Sequence, residues 1–205
     1  MIIYVESNFV LEIALMQEQS SSANRILQLA VDGFIKLVIP SFSISEPYST
    51  LGSRDRERKS ISDLLDKQSV QLKRSDIKVS AIPVVEQAAV TLSRVSKAET
   101  DSLEDTTRKL LSAARQISID RGVFEEATKY ERLHGLKPKD SIVYASIISD
   151  LTSNPNGESK CFVTKDSKDF DVRGIRTELT TLNCQPKYSF DDTLRFIEHE
   201  IASQN

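Results

Sequence analysis

Apolar residues occur in short blocks along the first fifty positions, and their spacing predicts alternating strands and helices. Residues 2–5 are four consecutive β-forming residues, which is typical of a buried strand. Helical spacing of apolar residues follows this strand from Phe9 and again from Ser22. Residues 36–40 then form a second short strand closed by proline, and a new helical pattern starts near Ser45. This order of elements is typical of a parallel sheet whose strands are joined by helices.

The middle of the chain is more polar, and its pattern is helical. Residues 52–80 hold eight Lys or Arg against five Asp or Glu, so this segment is locally basic. Helical spacing of apolar residues over 84–95 and again over 103–117 predicts two amphipathic helices. Because no linker rich in Gly, Ser or Pro brackets the segment, residues 53–135 are predicted to be a helical elaboration of a single domain spanning 1–205.

The α/β pattern resumes after residue 135. Residues 141–151 are strongly apolar and predict a helix, which the run Asn-Pro-Asn-Gly at 154–157 ends. Three further elements complete the prediction: a third strand at 161–164, additional β structure at 175–182 and a final helix at 191–201. The whole pattern therefore predicts an α/β fold with a central parallel sheet.

Composition narrows the classes of function. Lys and Arg number 27 against 30 Asp and Glu, so the chain has no overall basic charge and any nucleic acid must be bound locally. Cys161 and Cys184 match neither a disulfide framework nor a zinc motif, which indicates a reducing compartment. No apolar run approaches twenty residues and the first helical stretch carries acidic residues, so neither a membrane span nor a signal peptide is expected. We therefore expect a cytoplasmic protein.

Acidic residues stand where the predicted strands end. Glu6 ends the first strand, Glu46 lies just past the second, and Asp166 ends the third, while Asp140 begins the apolar helix. The carboxyl ends of parallel strands share one edge of a sheet, so these side chains are expected to converge. Converging carboxylates require a cation, and hard oxygen ligands suit Mg²⁺ or Mn²⁺.

Each acidic residue also has a purely structural interpretation. Glu6 precedes a Ser-Asn pair and is suitable as a helix cap, and Asp140 directly precedes an apolar helix, as N-cap residues do. Ser43 and Glu46 have the spacing of a capping box. Asp166 and its neighbours are typical of a solvated acidic turn. The pattern of residues alone leaves both interpretations open.

Four segments resemble, in their order and spacing, the motifs of PIN-domain nucleases. The resemblance covers residues 1–52 and 136–182 and implies a three-layer α/β/α fold with a central parallel sheet and a helical insertion. The segments are YVESNF at the amino end, ISEPYSTL after the second strand, KPKDSIVYASI at the apolar helix and VTKDSKDF at the third strand.

The resemblance implies a set of site residues and a reaction. Glu6 stands where the family normally has an aspartate, followed two places on by a polar residue. The reaction would be hydrolysis of phosphodiester bonds in RNA with one or two Mg²⁺ or Mn²⁺ ions. The implied catalytic and metal-binding acids are Glu6, Glu46, Asp140 and Asp166, with Asp169 as a further ligand and Asn8 and Thr164 in support.

Two functions follow from the resemblance. The first is a metal-dependent endoribonuclease, either toxin-like or RNA-processing, with single-stranded or structured RNA as substrate and an antitoxin, another protein or a second copy of the chain as partner. The second is a PIN-like scaffold with impaired catalysis that binds RNA or a protein. The second function follows from Glu6, because its extra methylene moves the carboxylate by about 1.5 Å. An unrelated phosphatase-like hydrolase using the same acids is a third interpretation.

Overall fold

Five short strands and nine helices are present in the computed structural model, which describes residues 1–74, 82–155 and 157–203. The predicted polar segment 52–80 and the predicted helix break at 154–157 therefore lie partly outside the described residues. In chain order the elements are β1 (Ile2–Val5), α1 (Ser7–Ala14), α2 (Ser20–Val31), β2 (Lys36–Pro40), α3 (Ser41–Lys73), α4 (Ile82–Ala113), β3 (Ala114–Ile117), α5 (Arg121–His134), α6 (Pro138–Ser153), β4 (Lys160–Val163), α7 (Ser167–Phe170), α8 (Arg173–Thr181), β5 (Cys184–Lys187) and α9 (Phe190–Ala202).

The strands form one parallel sheet in the order β3-β2-β1-β4-β5. Strand β1 lies in the centre, and Tyr4 pairs with Val38 of β2 on one side and with Phe162 of β4 on the other. All four residues of β1 are buried, because helices cover both faces of the sheet. The prediction of an α/β fold with a central parallel sheet is confirmed.

Alternate residues of β1 supply the two halves of the core. Ile3 and Val5 pack into a cluster with α1, α2, α9 and the residues of α3 and α4 nearest the sheet. Ile2 and Tyr4 pack into a second cluster on the opposite face, with α5, α6 and α8. A strand with side chains on alternating faces can serve both clusters only when each face is covered. The result is a helix, sheet and helix arrangement in three layers.

Helices α3 and α4 form a long antiparallel hairpin. At 1.5 Å per residue the 33 residues of α3 extend for about 50 Å. Leu51, Leu103 and Leu110 anchor the base of the hairpin in the core. Farther out, Arg58 donates two hydrogen bonds to Glu99, at 2.6 and 2.8 Å. Every helix of the described residues falls short of the length or the hydropathy that a membrane span requires.

The structure corrects the prediction for the second half of the hairpin. The two helices predicted at 84–95 and 103–117 are one continuous helix, α4, because the apolar positions of both segments lie on one helical face. The predicted end is also wrong, since residues 114–117 form strand β3. The range 53–135 is therefore not purely helical, and the assignment of the whole chain to one domain stays a prediction.

Strand β3 is a polar edge strand held by an ion pair between an exposed arginine and a buried aspartate. Asp150 of α6 is 7 % exposed and accepts hydrogen bonds from both terminal nitrogens of Arg115, at 2.8 and 2.7 Å. It also accepts one from the hydroxyl of Tyr4 at 2.8 Å. Burial is the largest influence on the pKa of Tyr4 and raises it, with the bond to Asp150 adding to the effect. This network attaches β3 to both α6 and the centre of the sheet.

The predicted β structure at 175–182 is wrong, because this segment lies in helix α8. Ile175 and Leu179 are four residues apart and both buried, which is the spacing of one helical face. Threonine favours strands, and the run TELTT accounts for the wrong prediction. In the helix, Thr180 and Thr181 satisfy their hydroxyls by donating to carbonyl oxygens four residues earlier.

A close approach at Gly174 gives a test of this packing. A Cβ atom at Gly174 would lie 2.7 Å from Cε1 and 2.9 Å from Nδ1 of His134, whose ring stacks on Tyr130. Because the imidazole is buried and confined by its neighbours, Gly174→Ala is expected to lower the free energy of unfolding by about 1–3 kcal/mol. Urea denaturation followed by circular dichroism measures the change.

Gly52→Ala is the matched control for this substitution. Gly52 lies inside α3, and the nearest atom to an added Cβ is Nη1 of Arg56 at an ordinary 3.6 Å. Alanine at this helical position should stabilise the protein by about 0.5–1 kcal/mol. A Gly174→Ala protein as stable as the parent would contradict the packing of α8 on His134.

Candidate metal centre

A cleft of about 560 Å³ lies at the edge of the sheet where β1, β2 and β4 end. Glu6 directly follows β1, and Asp166 follows β4 after two residues. Helix α3 begins directly after β2 and carries Glu46 in its second turn, while α6 places Asp140 in its first turn. The structure thus places the four predicted catalytic acids in the lining of one cleft. The cleft is lined by Glu6, Ser7, Asn8, Glu46, Lys137, Pro138, Lys139, Asp140, Asp166 and Phe170.

Glu6 uses one carboxylate oxygen to cap α1. Its Oε2 accepts a hydrogen bond from the backbone N–H of Asn8 at 2.8 Å and lies 3.0 Å from the hydroxyl of Ser7. Its Oε1 is buried and has no hydrogen-bond partner among the described residues. The capping interpretation therefore accounts for Oε2 alone, and Oε1 is left available to a ligand.

Burial raises the pKa of Glu6 to about 7. The residue is only 5 % exposed, so its charged form loses most of its hydration. The bonds from Asn8 and Ser7 oppose this effect but are smaller. Thr164 also lowers the pKa of Glu6, although its hydroxyl makes no hydrogen bond of normal geometry to Oε1. The first carboxylate of the cleft is therefore partly protonated at neutral pH.

Ser7 joins two of the acids. Its hydroxyl lies 2.6 Å from Oε2 of Glu46 and 3.0 Å from Oε2 of Glu6, and its single proton serves one of them at a time. The capping-box interpretation of Glu46 is wrong, because Ser43 lies inside α3 and the N-cap is Pro40. Glu46 instead faces the cleft, where it contacts Ser7 and Lys139.

Asp140 is the third residue of α6, so its interpretation as an N-cap is wrong. The N-cap is Lys137, which makes no capping hydrogen bond with its side chain. Burial raises the pKa of Asp140 to about 6, and the charges of Asp169 and Asp166 add to the effect. The carboxylate of Asp140 thus lies close to other acids and does not cap its own helix.

Asp166 and Asp169 complete the acidic group from the turn after β4. Asp166 caps the short helix α7 by accepting from the N–H of Asp169 at 3.1 Å, and its own N–H donates to the Thr164 hydroxyl at 2.9 Å. The hydrogen bond from Lys137 lowers the pKa of Asp169. One oxygen from each of Asp140, Asp166 and Asp169 lies within 4.8 Å of the other two. Three such carboxylates can hold one divalent cation.

Three polar residues of the cleft were not predicted from the sequence: Ser7, Lys137 and Lys139. Ser7 stands between Glu6 and Asn8 and is an ordinary residue for a helix start, so nothing in the sequence connects it to Glu46. The two lysines flank Pro138 in the motif KPKD, and their charges next to Asp140 were the only available indication. Asn8 lies where it was predicted, and its backbone N–H holds Glu6.

Comparison with known families agrees with this geometry. A family model described as PIN domain matches residues 3–170, so the chain belongs to the PIN-domain family. Comparisons with curated proteins and with solved structures found no match. PIN domains are generally metal-dependent ribonucleases, they commonly bind RNA, and some pair with antitoxins. The assignment of Glu6 to the position of the family's first aspartate, and of the five acids as ligands, stays a prediction.

The raised pKa of Glu6 makes a prediction about stability. Its pKa is about 7 in the folded protein against an ordinary value of 4.5, so the folded state binds the proton more tightly than the unfolded state. The free energy of unfolding should therefore fall as the pH rises from about 4.5 to 7. Glu6→Gln removes this loss and should stabilise the metal-free protein by about 1–3 kcal/mol at pH 8, with little effect at pH 4.5.

Denaturation of both proteins in EDTA across this pH range measures the difference. Glu18→Gln, which removes an exposed carboxylate, serves as the control and should change the stability by less than about 0.5 kcal/mol at either pH. Equal stability of Glu6→Gln and the parent at pH 8 would show that burial of the charged Glu6 carboxylate does not destabilise the protein.

Proposed function

We propose that this protein is a Mg²⁺- or Mn²⁺-dependent endoribonuclease that hydrolyses phosphodiester bonds of single-stranded or structured RNA in the cleft. The observation that carries the proposal is the close approach of Asp140, Asp166 and Asp169 oxygens, within 4.8 Å of one another, at the edge where Glu6 also lies. Membership of a family whose members are generally metal-dependent ribonucleases supports it.

The residues of the cleft fit a divalent cation. Carboxylate oxygens are the hard ligands that Mg²⁺ and Mn²⁺ prefer. Oε1 of Glu6 is buried without a hydrogen-bond partner among the described residues, so this oxygen is available to coordinate such an ion. A bound divalent cation activates water and offsets negative charge on the reacting phosphate. The proposed ligands are Glu6, Glu46, Asp140, Asp166 and Asp169.

Protonation of two proposed ligands makes metal binding depend on pH. Burial gives Glu6 a pKa of about 7 and Asp140 a pKa of about 6, so both carry part of a proton near neutral pH. Cation binding at these oxygens releases protons, and the affinity for the ion is expected to rise with pH. Ser7 restricts the movement of two ligands, because its hydroxyl lies between Glu6 and Glu46.

The cellular role is proposed in two forms. One is a toxin-like enzyme that pairs with an antitoxin, and the other is an RNA-processing enzyme that acts alone or as a homodimer. The long α3–α4 hairpin makes the chain larger than compact PIN toxins, which leaves the second form as open as the first. Cys161 and Cys184 are buried free thiols, and this supports a cytoplasmic setting as part of the proposal.

A scaffold with impaired catalysis is the second candidate function, and one observation favours it. Lys139 lies 3.1 Å from Glu46, and Lys137 bonds to Asp169, so two of the proposed ligands are already paired with cations. A cleft whose acids are partly neutralised in this way can bind a partner without any metal ion. The nuclease and the scaffold therefore differ in whether a divalent ion enters the cleft.

Asp140→Asn tests the nuclease directly. Cleavage of a fluorescently labelled single-stranded RNA in Mn²⁺ or Mg²⁺ should fall by at least about 100-fold, the order of magnitude that loss of one group stabilising the transition state costs at a catalytic centre. EDTA should stop cleavage by the parent. Gel electrophoresis of the products, with circular dichroism as a check of folding, measures both effects.

Asp63→Asn is the control, because Asp63 is an exposed acid on the distal hairpin and should leave cleavage unchanged. Undiminished cleavage by a folded Asp140→Asn protein would refute the site. RNA binding that persists in EDTA, without cleavage in either metal, would instead identify the scaffold. Turnover of a small phosphoester in place of RNA would identify a phosphatase-like hydrolase.

A further inference from the structure

Two lysines at the mouth of the cleft contact acids that are proposed metal ligands. Lys137 donates from Nζ to Oδ2 of Asp169, and Nζ of Lys139 lies 3.1 Å from Oε1 of Glu46. Both side chains are largely exposed, at 67 % and 58 %, whereas the two carboxylates are only 14 % and 17 % exposed. The ammonium groups therefore reach inward from the rim of the cleft to acids that lie deeper.

The placement of these lysines is unfavourable for the helix that carries them. Lys137 is the N-cap of the 16-residue helix α6 and Lys139 is its second residue. The N-terminus of a helix carries a partial positive charge, so cations there are disfavoured and anions are favoured. Pro138 and the buried Ser141, whose hydroxyl donates to the Pro138 carbonyl at 2.8 Å, fix the backbone at this point. Violations of a local stability rule are expected at functional sites.

The lysine contacts would compete with a divalent cation. A metal ion held by Asp169 and Glu46 would share these carboxylates with Lys137 and Lys139, and it would repel both ammonium groups. Pairs between an exposed lysine and a carboxylate are weak, and the flexible four-carbon chain of lysine lets its ammonium group move away. A cation in the cleft would leave the ammonium groups of Lys137 and Lys139 at the rim without carboxylate partners.

We propose that Lys137 and Lys139 neutralise Asp169 and Glu46 in the metal-free protein and that metal binding releases both lysines to bind phosphates of the RNA strand. Phosphate is the partner that fits, because the rim then combines two ammonium groups with a helix N-terminus, both of which favour anions. This inference rests on the proposed function, since it requires a cation in the cleft. It adds a coupling in which the metal site and the RNA site favour each other's occupation.

The first measurement is metal affinity without RNA. Isothermal titration with Mn²⁺ should show that the double variant Lys137→Gln/Lys139→Gln binds the ion about tenfold more tightly than the parent, because two competing positive charges are gone. Lys36→Gln/Lys129→Gln is the matched control, since it removes two exposed lysines that pair with acids outside the cleft. Its affinity for Mn²⁺ should equal that of the parent.

The second measurement is the salt dependence of RNA binding. Fluorescence anisotropy with a hydrolysis-resistant single-stranded oligonucleotide, 2′-O-methylated and phosphorothioate-linked, gives the affinity at several NaCl concentrations in Mn²⁺ and in EDTA. For the parent and the control variant, the slope of log affinity against log salt should be steeper in Mn²⁺ by about 1.4, which corresponds to two phosphate contacts. For the Lys137→Gln/Lys139→Gln protein the two slopes should be equal.

The outcomes separate this inference from the proposed function. Weaker Mn²⁺ binding by the double variant would mean that the lysines position the carboxylates, and this would overturn the inference while leaving the nuclease intact. Tighter Mn²⁺ binding without a change in slope would also overturn it, because the released lysines would not meet phosphate. Absence of Mn²⁺ binding by the parent would overturn both. If the double variant shows both the tighter Mn²⁺ binding and the equal slopes, but the parent cleaves no RNA, the inference is supported and only the proposed catalysis is refuted.

Discussion

The parallel register of three adjacent strands determines where the whole site lies. Tyr4 in β1 is level with Val38 in β2 and Phe162 in β4, so the three strands end at one edge. Each strand is followed almost at once by a helix or a turn, and this leaves little freedom in where the next side chains point. The acids of the cleft come from four separate segments of sequence. The positions of Glu6, Glu46 and Asp166 follow from this register, whereas helix α6 places Asp140. A shift of one residue in β1 would exchange the two faces of the core and would also move Glu6.

The centre of this arrangement is a carboxylate in an unfavourable environment. Glu6 is buried next to other acids, and this raises its pKa to about 7. Two features reduce the cost: the N-terminus of α1 favours negative charge, and Oε2 accepts from the N–H of Asn8. Neither feature reaches Oε1. The protein therefore retains a local instability where a cation would relieve it, which is how metal-binding sites commonly couple to stability.

The inner strands could be predicted from the sequence, and the edge strands could not. β1, β2 and β4 are continuous apolar runs because both of their faces are buried. β3 reads ARQI and β5 reads CQPK, and proline is accepted in β5 because that strand is at the edge of the sheet. The Arg115 side chain of β3 is half exposed and bonds to Asp150 in α6, a contact between residues 35 positions apart. Such tertiary contacts override local propensity, as they also do for the threonine-rich α8.

The acids of the site were visible in the sequence for the same reason as the inner strands, since each stands at the end of an apolar run or at the start of an apolar helix. The sequence did not show which of these acids cap a helix. Glu6 and Asp166 do cap helices, whereas Glu46 and Asp140 do not. Capping preference depends on the exact first residue of a helix, and the boundary is the least certain part of a pattern. The partners of Lys137 and Lys139 depend on tertiary approach and have no local pattern.

The geometry of Glu6 also bears on whether its extra methylene impairs the site. A glutamate that extended straight from the strand would place its carboxylate about 1.5 Å farther out than an aspartate. In the structure Oε2 bonds to the N–H of Asn8 two residues later. Oε1 is buried without a hydrogen-bond partner among the described residues, and Glu6 lines the cleft together with Glu46 and Asp140. The glutamate thus caps the helix with one oxygen and keeps the other for the proposed metal site, so a glutamate at this position is compatible with that proposal.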